Sequence, residues 1–319
     1  MIEPRPIEIR SASRLVLIDA TLRVLLFRHN DGHGREFWAT PGGGIEPGET
    51  PEQAARREAV EELGAEDVSL SSLWTGHSVF PFADRTVSQT DRFYLVTRHN
   101  GILGPSVEDA HRREGITEVR WWPLDEIDTS REPVYPADLA HRVRAHLLES
   151  RILEALDLAV RTEGVRPRID AIVARVEEKL RARPDDLLAW EPIPLDVYSA
   201  PLPEAIRSSW VFILRGNTTT GAERHPNSHQ RMTSYRGSGD FQTRLDGDWS
   251  SHLLKDDESV PASERWISIP PNVWHQGVVP KDNWVVVSFH TAAEHELLEE
   301  RPGLDTLSAA RLRRYSGEG

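Results

Sequence analysis

The sequence predicts an α/β unit, then a helical connector, then an all-β unit. Three observations carry this prediction. The chain has 319 residues, and at roughly 150 residues per domain that implies about two domains, each long enough to bury a core. Strand and helix signals alternate over the first 150 residues or so. After Pro184 the helical signals fade, and short strands appear between Gly, Pro, Asn and Asp turns. That spacing suggests an all-β sandwich or barrel.

The elements follow in order. Residues 14–18 and 23–27 are branched-aliphatic runs around a polar turn, so a β-hairpin is expected. Residues 50–63 form a helix with marked ends. Thr50 suits the N-cap, Pro51 the first helical position, and Gln53 completes a capping box. Gly64 sits where a left-handed cap is wanted. Residues 93–97 and 119–122 read as strands, and 136–150 as a helix closing this unit. Residues 151–184 repeat apolar positions at helical spacing: Ile152, Leu156 and Val160, then Ile169, Val173, Val176 and Leu180. Further strands are expected at 210–214, 266–269 and 284–290, and a short helix at 304–315. The divisions are therefore 1–150, a connector at 151–184, an all-β unit at 185–300, and a tail or short helix at 301–319.

Composition excludes several classes. No cysteine is present, which removes a disulfide framework, a thiolate metal site and a cysteine nucleophile. The net charge of −13 argues against nonspecific binding to nucleic acid or an anionic membrane. No apolar run approaches the roughly 20 residues that span a bilayer. The opening MIEPRPIEIR is acidic and proline-bearing where a signal peptide is apolar. A soluble, cytoplasmic protein is expected.

Residues 43–64 carry the strongest chemical signal: Gly43-x5-Glu49-x7-Arg57-Glu58-x2-Glu61-Glu62-x-Gly64. Glu58, Glu61 and Glu62 stand at i, i+3 and i+4 and share one helix face, where like charges repel. Arg57 offsets part of that charge, and a divalent cation would offset more. Oxygen-only ligands favour hard ions, hence Mg2+ or Mn2+. The preceding Gly42, Gly43 and Gly44 allow close backbone approach. A loop entering a helix N-terminus also has room for a diphosphate.

This segment resembles the Nudix box at every polar and glycine position, with Ala59 and Ala65 at its apolar positions. Trp38-x2-Pro41-Gly42-Gly43-Gly44 is similar to the family's lead-in. The resemblance covers roughly residues 10–150. It implies an α/β/α sandwich around a mixed sheet. It also implies Mg2+- or Mn2+-dependent hydrolysis of a nucleoside diphosphate linked to another moiety. Carried over by position, Glu58, Glu61 and Glu62 would be metal ligands, Arg57 would orient glutamates, and Glu49 would brace the loop. Glu58, Glu61 or a glutamate outside the box would serve as base, and Glu114 is a candidate extra ligand or base. Substrate contacts are expected from Phe82 in Phe80-Pro81-Phe82, and from Arg85, Gln89 and Arg28. Pro81 lies where a proline in the family accompanies ADP-ribose or nucleotide-sugar hydrolysis, so that substrate type is favoured.

The all-β unit carries Glu223-x-His225-x3-His229, then Pro270-x-Asn272-x2-His275. Histidines on a loop–strand, joined by one after a proline turn, suggest a mononuclear site. The arrangement resembles a cupin barrel, with Asn272 at a usual glycine, Glu223 at a usual histidine and His229 at a usual glutamate. A second divalent metal such as Zn2+, Fe2+, Mn2+ or Ni2+ would then sit among Glu223, His225, His229 and His275. His290 is placed to line the same cavity. Five tryptophans of this unit (Trp210, Trp249, Trp266, Trp274 and Trp284) are expected mainly in the core.

Two functions follow as expectations. One is a diphosphate hydrolase with a second catalytic or ligand-binding site. The other is a nucleotide or metabolite sensor that binds without turnover. The expected partner is a small nucleoside diphosphate derivative, with no nucleic acid or membrane, and both resemblances imply a homodimer.

Overall fold

The computed structural model describes residues 7–32, 34–82, 85–99, 103, 107–245, 247–260, 262–302 and 310–314. Its contacts divide the chain into Met1–Leu147 and Leu148–Gly319.

In the first unit the elements are β1 (Ile7–Val16), β2 (Arg23–Asn30), β3 (Glu36–Ala39), α1 (Pro51–Leu63), β4 (Val68–Phe82) and β5 (Arg85–His99). They are followed by α2 (Glu108–Arg113), β6 (Ile116–Pro123), α3 (Leu124–Thr129), β7 (Val134–Tyr135) and α4 (Leu139–Arg161). The strands form two sheets, β1-β5-β4 and β6-β2-β3-β7. Both are mixed: β1 runs parallel to β5, and β3 parallel to β7, while the other pairs are antiparallel.

α1 ends where the sequence places its ends. The Thr50 hydroxyl accepts from the Gln53 N–H, the Gln53 side chain accepts from the Thr50 N–H, and Gly64 is left-handed at φ 69°. Alternation along β1 and β2 divides the core. Leu15, Leu17, Leu25 and Phe27 pack with Ala55, Ala59 and Leu63 of α1. Val16, Val24 and Leu26 pack with Leu139, Ala140 and Val143 of α4. Helix layers therefore cover both faces of the strands.

The expected first hairpin forms only at its turn. Ile18 bridges Val24, but β1 then takes β5 as its partner over ten residues. Its other edge is covered by the glycine loop. The Ser13 N–H donates to the Gly43 carbonyl at 3.0 Å, Leu15 N–H to Pro41 at 2.8 Å, and Ile45 N–H to Ser11 at 2.9 Å. The loop is thus fastened along a strand edge, which fixes where α1 begins.

The second unit holds the end of α4, α5 (Arg166–Ala182), β8 (Leu188–Pro192), β9 (Ser208–Leu214), β10 (Thr218–Thr219), β11 (Gln230–Arg236) and β12 (Ser238–Arg244). Then come β13 (Leu253–Lys255), α6 (Ala262–Arg265), β14 (Trp266–Ile269), β15 (Trp274–Val279), β16 (Trp284–His290), β17 (Leu298–Pro302) and β18 (Ala310–Arg314). The sheet orders are β14-β11-β16-β9-β8, β10-β15-β12-β13 and β17-β18. No sheet is closed among the described residues, so the expected barrel is seen as open antiparallel sheets. The two larger sheets share a core of Leu214, Met232, Phe241, Leu254, Val279 and Trp284.

The connector is a structural layer of this unit. Ile169, Val173, Val176 and Leu180 of α5 pack on Val211, Ile213, Val285 and Val287. The five-stranded sheet is thus covered on both faces, and every residue of β16 is buried. Residues 303–309 lie outside the described residues, and Ala310–Arg314 pairs with β17 as a strand instead of forming the expected helix. An antiparallel partner completes its backbone hydrogen bonds.

Candidate functional site

The first site begins at the glycine loop. Gly42 has φ 126°, and a Cβ there would lie 2.2 Å from the Ser13 carbonyl oxygen. A Cβ on Gly43 would lie 2.3 Å from Glu58 Oε1. Only glycine lets this loop close on α1 and β1 at once.

Arg57 gathers the loop and the helix. Its Nε donates to Glu49 Oε1 at 2.9 Å, Nη1 to Glu58 Oε1 at 2.7 Å and to Glu61 Oε2 at 3.0 Å, and Nη2 to the Gly44 carbonyl at 2.8 Å. Glu62 accepts from the Gly42 N–H, while its Oε1 is buried without a hydrogen-bond partner. Glu58 and Glu62 are both buried. The structure brings one oxygen each of Glu58, Glu62 and Glu114 within 4.8 Å of one another. Glu61 is half-exposed and held by Arg57, outside that group.

The electrostatics fit a cation. Burial pushes the Glu58 carboxyl up, against the pull of Arg57. Burial, then the neighbouring Glu114 carboxyl, pushes Glu62 well above the usual carboxylate range. Buried acids in close company are costly as anions. With Oε1 of Glu62 orphaned, the donor set suits a hard divalent ion.

The expected substrate contacts are otherwise engaged. Arg28 meets Glu132 at 2.9 Å, Glu36 at 3.0 Å and Glu118 at 3.7 Å. Arg85 donates to Glu8 at 2.7 Å, and Gln89 to Asp91 at 2.8 Å. The Phe82 side chain lies outside the described residues.

Two neighbours escaped sequence reasoning. Arg14 donates to the Gly42 carbonyl at 2.6 Å and to Asp91 at 3.1 Å. His111 Nε2 meets the Glu62 carbonyl at 2.7 Å. Neither lies in a motif, and each contact depends on strand and helix placement.

The second cluster lies within Leu148–Gly319. Glu223 and His275 exchange backbone hydrogen bonds at 2.9 and 2.8 Å. Asn272, at φ 67°, shapes the turn before His275. Asparagine tolerates this left-handed conformation better than most residues. Ligand atoms of Glu223, His225 and His275 lie within 4.8 Å of one another. His225 Nδ1 meets the Leu298 carbonyl at 2.9 Å, and His275 Nδ1 that of Val273 at 3.0 Å. Donation from Nδ1 leaves the lone pair on Nε2, the usual arrangement for a ligating imidazole. His275 Nε2 is buried without a hydrogen-bond partner.

Arg301 donates to Glu223 Oε2 at 2.8 Å. Burial alone would raise Glu223, but His275 and Arg301 bring it down to about 2. Burial and the neighbouring His275 lower His225 to about 4. His229 stands apart: its Nε2 meets Ser268 Oγ at 2.7 Å, beside Arg231. The histidine that joins the cluster is His290, its ring centre 5.1 Å from that of His225. Of the five tryptophans, Trp210, Trp266 and Trp284 are buried, whereas arginines cover Trp274 and Trp249.

No helix among the described residues is long and apolar enough to cross a membrane. Comparison with known proteins adds the family. The NUDIX domain pattern matches residues 8–142. An oxidized purine nucleoside triphosphate hydrolase of Danio rerio is 33% identical over 116 residues, covering 36% of this chain and 68% of that protein. A protein of Mycobacterium tuberculosis named as mutator protein MutT4 is 38% identical over 109 residues, covering 34% of this chain and 41% of that protein. An 8-oxo-dGTP diphosphatase of Proteus vulgaris is 43% identical over 65 residues, covering 20% of this chain and 54% of that protein. The chain thus spans only about half the length, or less, of the last two relatives. Through residues 8–142 the chain belongs to the Nudix family.

Proposed function

We propose that the first unit hydrolyses a phosphoanhydride bond of a small nucleoside phosphate, with Mg2+ or Mn2+ held by Glu58, Glu62 and Glu114. The observation that carries this is the trio of carboxylates within 4.8 Å, two of them buried. Arg57 and the Gly42 N–H hold Glu58 and Glu62 in place before substrate arrives. A divalent ion bound there supplies charge neutralisation and Lewis acidity. A carboxylate, drawn from Glu58, Glu61 and Glu114, takes the proton of the attacking water. The water oxygen bonds to one phosphorus, the anhydride P–O bond breaks, and its electron pair leaves on the phosphate-bearing product. The relatives' names favour a purine nucleoside triphosphate. ADP-ribose or a nucleotide sugar is supported only by the position of Pro81.

The test is an assay with Mg2+ or Mn2+ against nucleoside triphosphates, oxidised purine nucleotides, ADP-ribose and nucleotide sugars, with products identified. Glu58→Gln and Glu62→Gln should each lower kcat/KM by about 100-fold or more. Full activity in both variants would sink the reading, as would no turnover on any member.

In the second unit we propose one divalent metal on Glu223, His225 and His275, supported by the buried Nε2 of His275, which has no hydrogen-bond partner and lies 3.6 Å from Glu223 Oε1. Metal content of the purified chain should fall in His225→Ala and His275→Ala to what the first site alone holds. Equal content in all three proteins would remove the site.

A further inference from the structure

β1 is an edge strand whose free side is only partly covered. Its odd-numbered residues turn their backbone groups to that side: Ser13 and Leu15 donate to the glycine loop, and Ser11 accepts from Ile45. Backbone direction alternates along a strand, so Ile7 and Ile9 turn theirs the same way. Among the described residues the loop reaches no farther than Ser11, and β5 is the strand partner of β1. The uncovered stretch is apolar. Ile7 is 69% and Ile9 84% exposed, and Ile9 lies across Ser88 from Val79, which is 62% exposed. Such an edge is a template for another strand.

The pattern around Ile9 names the strand that fits. Glu8 and Arg10 flank it on the opposite face of the sheet. They are bonded to each other, and Arg85 holds the second Glu8 oxygen. Against a second copy running antiparallel, Glu8-Ile9-Arg10 is its own complement. Ile9 faces Ile9, and each Glu8 faces an Arg10. Opposite charges directly across a ladder stabilise it, and like charges weaken it. Both copies aim the Ile9 N–H and carbonyl outward, so the two residues form a hydrogen-bonded pair on the two-fold axis. Ile7 then faces Ser11, and the glycine loop stops the ladder there.

We propose that the β1 edges of two copies of this chain pair antiparallel about Ile9, joining their three-stranded sheets into one across a homodimer. The inference is independent of the hydrolase reading and of either metal site. Glu8 and Arg10 of the two copies form a cluster whose four charges alternate in sign. About five residues a side is a small interface, so the association is reversible, with a Kd of about 10–100 µM.

Sedimentation equilibrium of the full chain at about 5–500 µM is the test. The unsubstituted chain should pass from monomer to dimer across that range. Ile9→Pro removes only an outward N–H, which an edge strand tolerates. Arg10→Glu gives the four-charge cluster a single sign. Each should weaken association ~10-fold or more, with a melting temperature near the parent's. The absence of cysteine allows a test of register. In the proposed ladder residue 9 opposes itself at roughly the 5.5 Å Cα separation that a disulfide spans, and residue 7 does not. Ile9→Cys should therefore form a covalent dimer on mild oxidation, and Ile7→Cys should not. A chain monomeric throughout the range, as when a different protein takes this edge, overturns the pairing. So does a dimer that Ile9→Pro leaves unchanged, or crosslinking of Ile7→Cys in preference to Ile9→Cys.

Discussion

Gly43 and Glu58 compete for the same few ångströms. A methyl on Gly43 would have to push the Glu58 carboxylate aside, since Oε1 lies 2.3 Å from the Cβ position. The displaced group ends a side chain, so the fold can survive while the acid moves. Gly43→Ala should therefore lower kcat/KM by about 100-fold, the effect of misplacing a reacting group by about 1 Å, with a melting temperature near that of the parent. Kinetics and a thermal melt on the same sample check this, and unchanged kinetics would contradict it. The glutamates were legible at this scale because helical spacing is local. Glu114 was legible only as a candidate, and its place beside Glu58 and Glu62 comes from α2 and the turn at Gly115. Arg14 was not legible, because strand pairing alone carries it to the glycine loop.

Elements with local end signals and short branched strands such as 266–269 and 284–290 were legible, whereas long ladders and the partners of each strand were not. α1 has its N-cap, capping box and left-handed glycine within fifteen residues, so its sequence specifies it. The long β4–β5 ladder escaped notice. Serines, a glycine and a proline break up β4 (VSLSSLWTGHSVFPF), and its register is set by β5 over Val68 to Phe82. α5 was legible as an amphipathic helix, but not that the sheet would take its apolar face. One ion pair shows how such layers are held. Arg231 on β11 is buried and donates to Glu149 on α4 at 2.6 and 2.7 Å, and Ser268 donates to the same carboxylate. Burial would raise Glu149, yet Arg231 and Ser268 keep it below its ordinary value. Arg231→Met should cost about 3–5 kcal/mol by stranding that charge. Glu149→Leu combined with Arg231→Met should recover much of the loss. Urea unfolding of the single and double variants decides, and additive losses would refute the coupling.

For the whole molecule, both units contain histidines that folding keeps neutral. His29 in the first and His225 in the second are each lowered to about 4, chiefly by burial. Their unfolded forms titrate near 6.5, so between about pH 6.5 and 4 the unfolded chain binds protons that the folded chain refuses. Stability is full above that window and falls as pH drops through it, by up to about 1.4 kcal/mol per pH unit for each group. Urea midpoints of chelator-treated protein at pH 7.5 and 5 should show both units weakened at the lower value. An acid-insensitive midpoint would mean the imidazoles are solvated. The net charge of −13 described a whole surface. The carboxylates proposed to meet the substrate are buried ones that such a total does not locate.

The Leu298 carbonyl that orients His225 has a consequence for biosynthesis. Every carboxylate proposed for the first site lies before residue 116. That site can mature while most of the second unit is still untranslated. The histidine cluster has the opposite schedule. Its ligands emerge first, and Leu298 and Arg301, which hold His225 and Glu223, follow all three. A ribosome stalled at residue 297 would release a chain with all three proposed ligands and no means of aligning His225. The proposed metal site of the second unit is therefore completed later in the chain than the carboxylates of the first.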